Sequence, residues 1–176
     1  MQRLLRFVWF ATCIAFLFVL FKTYINISEY IIIPDAGLPT LNRQVYFYGA
    51  LGLFALICLF LLLARRLLIQ IPKSAWFFPH KSFWYLAHEN KVLHREILGA
   101  WIYSLGCGLN TVFLFCLIAL RSMNDPDGVK AIMPSYYLVG SLIILFLSLI
   151  SGPIRLAVKQ IELFKEDEVP LELNNN

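Results

Sequence analysis

"ILGAWIYSLGCGLNTVFLFCLIAL", residues 97–120, holds no charged side chain. As an α-helix rising 1.5 Å per residue it extends about 36 Å, enough to cross the ~30 Å hydrocarbon core of a bilayer. Whether this run belongs to a protein core or to lipid decides the fold, and composition answers for lipid. The 176-residue chain is 60% hydrophobic and only 15% charged, against about 45–50% and about 25% in soluble domains. Mean hydropathy is +0.72. Three further apolar runs flank the first, at about 5–25, 44–64 and 133–154. Lipid offers no hydrogen-bond partners, so each run satisfies its backbone only by coiling into a helix. The sequence therefore reads as an all-α polytopic membrane protein. It has one domain, 1–168, with four transmembrane helices, and a polar tail, 169–176. The first run lacks a small-x-small cleavage pattern and reads as an uncleaved anchor.

Charge sets the direction. Arg3, Arg6, Arg65, Arg66, Lys73, Lys81, Lys91, Arg95, Arg155, Lys159 and Lys165 lie in the tails and the middle connection. Only Lys22, Arg43, Arg121 and Lys130 lie in the other two connections. The basic-rich side faces the cytoplasm, so both termini and the middle connection are expected there. These charges sit at the ends of apolar runs rather than on a polar surface, which argues against nucleic acid as a partner and for the lipid bilayer.

Little in the chain reads as catalytic chemistry. Cys13, Cys58, Cys107 and Cys116 all fall inside apolar runs without CxxC spacing and read as small hydrophobes. His80, His88 and His94 with Glu89 and Glu96 lack the HExxH spacing of a zinc site. Asp125 and Asp127 lack a third ligand for calcium. No cofactor or metal is expected. Spans two to four carry no acidic or basic residue, which weighs against ion-coupled transport and intramembrane hydrolysis. The chain is read as a non-enzyme.

The middle connection is denser. "FFPHKSFWYLAHENKVLHRE", residues 77–96, follows Pro72 and contains Pro79, both helix breakers. From Ser82, the apolar Phe83, Leu86, Ala87, Leu93 and Ile97 share one helical face, opposite His88, Lys91 and Arg95. That pattern predicts a cytoplasmic interfacial helix running into the third span.

"PHKSFW" resembles the Pro-x-Lys-x-aromatic-Trp signature of a family of small bacterial four-helix membrane proteins, carried here by Pro79, Lys81, Phe83 and Trp84. That family is uncharacterised and is associated with the membrane immunity and signalling proteins for the sporulation-delaying toxin. "GLPTLNRQVYFYG", residues 37–49, is similar to the family's outer segment, although Ser82 stands where an acidic residue is common. The resemblance implies the bacterial cytoplasmic (inner) membrane and a role in binding rather than chemistry.

The third span also carries candidate contact residues. Ala100, Ser104, Gly108 and Thr111 recur along one face, and Gly99, Gly106 and Asn110 line an adjoining one. Small residues let helix backbones approach, and polar ones hydrogen-bond across helices. Asn110 must point into the bundle, because an amide facing lipid is costly. Gly49, Gly52, Ser141, Ser148 and Gly152 offer small surfaces on spans two and four. Gly152–Pro153 predicts a kink or an end to the fourth span, with an amphipathic helical extension beyond. The leading expectation is interaction with another membrane protein, a membrane-active peptide or a second copy of the chain. The alternative is a transport or channel component formed on oligomerisation, with Ser104, Asn110 and Thr111 lining its path.

Overall fold

A computed structural model describes residues 2–31, 41–70, 84, 88–124 and 134–172, without side chains at 68, 69, 134, 135 and 165–172. Four helices dominate: α1 (Gln2–Asn26), α2 (Arg43–Gln70), α3 (His88–Met123) and α4 (Pro134–Glu172). All four are long and apolar enough to cross a membrane. Each reaches beyond its apolar run at one end at least. A helix carries its own backbone hydrogen bonds wherever it goes, so it need not stop where hydropathy falls.

Three local features show how sequence sets the elements. First, two short strands after α1 pair as an antiparallel ribbon. Tyr30–Ile31 (β1) pairs with Leu41–Asn42 (β2), in the register Tyr30 with Asn42 and Ile31 with Leu41. Asn42 then starts α2 as an N-cap, its Oδ1 accepting the Gln44 N–H at 2.8 Å. Arg43 ties the start of α2 to the end of α1: its N–H donates to the Glu29 carbonyl, its Nη1 donates to the Ile27 carbonyl, and its guanidinium sits 4.8 Å from the Tyr24 ring centroid. Of the isoleucines before Pro34, Ile31 joins the ribbon and is buried; the other two lie outside the described residues.

Second, residues 88–96 are the first turns of α3 itself. The expected interfacial helix is therefore continuous with the third span over these residues. Residues 82, 83 and 85–87 lie outside the described set.

Third, α4 runs through both Pro153 and Pro170. Pro153 has no N–H, so the Leu149 carbonyl four residues back loses its helical donor. The Trp101 indole Nε1 of α3 donates to that carbonyl at 3.0 Å and to the Ser148 carbonyl at 3.1 Å. Gly152 makes this possible, because a Cβ there would collide with the Trp101 ring. A neighbouring helix thus replaces the bond that proline removes. The backbone is helical to Glu172, so part of the expected 169–176 tail belongs to α4; residues 173–176 lie outside the described set.

The helices alternate in direction. Gln2 of α1 lies against Gly99 of α3 together with Arg65 from the end of α2, and Leu98 packs with Leu156 of α4. The start of α1, the end of α2, the start of α3 and the later part of α4 therefore share one end of the bundle. α3 is the central element. It packs broadly against α4 and α1 and less against α2. Of its apolar stretch 39% is buried inside the bundle, against 11% for α1, 11% for α2 and 17% for α4.

Two apolar clusters hold the fold. One joins Phe16 and Leu20 of α1, Phe54 of α2 and Leu117 of α3, with the Phe16 and Phe54 rings stacked 4.2 Å apart. The other joins Trp84, Leu98 and Leu156. Outside them the molecule is oily: Phe7, Phe18, Tyr48 and Phe60 are each about two-thirds exposed. Water-soluble monomers rarely show contiguous apolar surface on this scale.

Candidate functional site along the central helix

α3 presents two working faces. Toward α4, Gly108 allows backbone contact: a Cβ there would stand 3.1 Å from the Leu145 Cα and 3.2 Å from the Ser148 Oγ. Trp101 faces the same helix about two turns earlier. Toward α1, Gly99 receives the Gln2 amide, whose Nε2 would lie 2.5 Å from an added Cβ. Gly106 receives the Trp9 ring at 2.6 Å by the same measure. Asn110 completes this face. It is 1% exposed, and its Nδ2 donates to Thr12 Oγ1 at 3.1 Å and Cys13 Sγ at 3.2 Å. Thr12 in turn donates to the Trp9 carbonyl at 2.7 Å.

The expected site residues separate along the helix. Trp84 is buried, with its ring centroid 5.4 Å from His94 and its side chain in the cluster with Leu98 and Leu156. Ala100 is buried nearby and lines a cavity of about 360 Å³ between α3 and α4 with Ile97, Ile154 and Val158. Ser104 is half-buried. Thr111 donates to the Cys107 carbonyl of its own helix at 2.8 Å. Asn110 faces α1, so it and Gly108 point to different neighbours. Pro79, Lys81 and Phe83 lie outside the described residues, as do His80, Asp125 and Asp127. Among the described residues no group of three or more His, Cys, Asp or Glu could hold a metal ion.

The small residues of the other spans divide likewise. Ser148 and Gly152 meet α3, whereas among the described residues a Cβ added at Gly49, Gly52 or Gly140 would meet nothing within 4 Å. Gly49 borders an open apolar groove of about 450 Å³ between α1, α2 and α3, lined also by Phe16, Val45, Leu53, Phe113 and Leu117. The sequence gives no sign of this groove. Its walls come from three helices, and each wall alone is an ordinary apolar stripe.

No protein-family model, curated protein or solved structure matches the chain.

Proposed function

We propose that the chain is a non-enzymatic integral membrane protein of a bacterial cytoplasmic membrane. Its four helices span the bilayer and both termini face the cytoplasm. It binds another membrane protein, a membrane-active peptide or a second copy of itself. The observation that carries this reading is the groove beside α2. In lipid, helix association is driven by close packing rather than by hydrophobicity, and small residues permit it. Gly49 lines the groove, and among the described residues a Cβ added there would meet nothing within 4 Å. The surrounding apolar exposure suits lipid, and the placing of Gln2 and Val158 on one cavity suits an even number of crossings. The likeness of Pro79–Trp84 to the immunity-associated family points the same way.

The test has two parts. Reporter fusions at the two termini should land on the same, cytoplasmic face, and the protein should stay with alkali-washed membranes; fusions on opposite faces overturn the topology. A photo-crosslinking residue at Leu53 should give a discrete protein adduct in native membranes, and one at Ile143 on α4 should not. Absence of an adduct at Leu53, with insertion intact, removes the binding role.

A further inference from the structure

At the end of the bundle where α1 begins and α2 finishes, Gln2, Arg3, Arg6 and Arg65 line an open pocket of about 220 Å³, with Arg3 and Arg6 exposed at its rim. Three guanidinium groups and one amide line it. Among the described residues, none of these arginines pairs with a carboxylate. Arg65 is held in place: its Nη1 donates to the Tyr103 hydroxyl at 2.8 Å, and its guanidinium lies 5.1 Å from that ring's centroid. Tyr103 is buried and rests on Trp9, 5.6 Å between centroids. The glycines of α3 make room for this arrangement, Gly99 for Gln2 and Gly106 for Trp9.

A second cavity, of about 430 Å³, shares Arg3 and Arg6 with the first and is otherwise mostly apolar, with Phe7, Phe10 and Leu62 in its lining. A cationic compartment and a greasy one therefore meet at the same two side chains. Unneutralised like charges at close quarters disfavour one another, and an anion between them reverses the sign. Guanidinium forks match phosphate oxygens in shape as well as charge. A free phosphate would satisfy the first compartment and leave the second unexplained. An amphiphile with a phosphate head and an acyl tail fits both, as basic pockets between transmembrane helices do for anionic headgroups.

We propose that Arg3, Arg6 and Arg65 bind the phosphate of an anionic phospholipid whose acyl chain lies against Phe7, Phe10 and Leu62. The site rests on the bilayer reading but not on the groove beside α2. It assigns a ligand to basic residues that the sequence uses only to set direction.

The experiment takes the full chain in detergent, depleted of lipid, and counts retained lipid by native mass spectrometry with phosphatidylglycerol and phosphatidylcholine as probes. Phosphatidylglycerol should be retained in preference. The Arg3→Gln/Arg6→Gln pair should lose about 25-fold in affinity, roughly fivefold for each arginine near an anionic headgroup. Arg66→Gln removes one positive charge from the same end without touching the cavity, and should change retention by less than about twofold, against about fivefold for Arg6→Gln alone. Equal loss in Arg66→Gln, or equal retention of the two lipids, overturns the site. Inorganic phosphate competing as well as phosphatidylglycerol does, mole for mole, overturns the lipid assignment in favour of a free anion. If the double variant does not fold, the wild-type preference between the two lipids decides alone. Failure of the protein to partition into membranes at all would instead sink the broader reading, which keeps the two distinguishable.

Discussion

Asn110 shows how one residue is fixed by its neighbours. Its amide lies in an apolar run, so it needs a partner, and the α1–α3 contact supplies the Thr12 hydroxyl. Thr12 passes the interaction on to the Trp9 carbonyl, so the two bonds form a short chain. The Asn110 Oδ1 is buried without a partner, which discounts the net gain from the residue. Interhelical hydrogen bonds in membranes average about 0.6 kcal/mol in double-mutant cycles. The Asn110→Ala and Thr12→Val pair should therefore couple by about 0.5–1 kcal/mol in a denaturant titration in micelles. A coupling indistinguishable from zero would show that the contact does not hold α1 to α3. The need for a partner is legible in the sequence. The identity of the partner is not, because Thr12 lies in a different span at an unremarkable position.

At the scale of the element, α4 is the instructive case. Gly152–Pro153 reads as a kink or an end to the span with helix beyond it, and a single helix runs through both parts. The break is repaired from outside, by the Trp101 indole on the Leu149 carbonyl. Trp101→Phe should orphan that carbonyl and destabilise the bundle by about 1–3 kcal/mol. In a Pro153→Ala background the peptide N–H returns, so the same Trp101→Phe change should be markedly milder. Equal losses in the two backgrounds, measured by unfolding in micelles, would show that the indole does not stand in for the missing donor. α3 shows the converse: its apolar run was plain from the sequence, and residues 88–96 run into it as the pattern predicted, though the pattern left open how those turns lie relative to the span. An amphipathic pattern of those few turns is the same whether they lie along a membrane surface or continue a spanning helix.

For the molecule as a whole, the arrangement is set by which helix is central. α3 meets α4, α1 and α2, while Gly52 and Gly140 face open space among the described residues. In a background lacking Cys13, Cys58, Cys107 and Cys116, a cysteine pair at Thr12/Asn110 should crosslink within one chain on mild oxidation. A pair at Gly52/Gly140 should not; an intramolecular crosslink there would overturn the α3-centred bundle.

The amino-acid sequence by itself determined the number of long apolar helices, since a run of some twenty apolar residues has few other ways to satisfy its backbone. It also determined how basic residues distribute between the connections. Only the tertiary structure decided that Arg3, Arg6 and Arg65 converge, that α3 lies at the centre, and which glycines are filled and which stay open. Those outcomes depend on the rotation of each helix about its own axis. Where nearly every face is apolar, hydrophobic periodicity does not single one out, so the rotation is set by the close approach of particular side chains across helices.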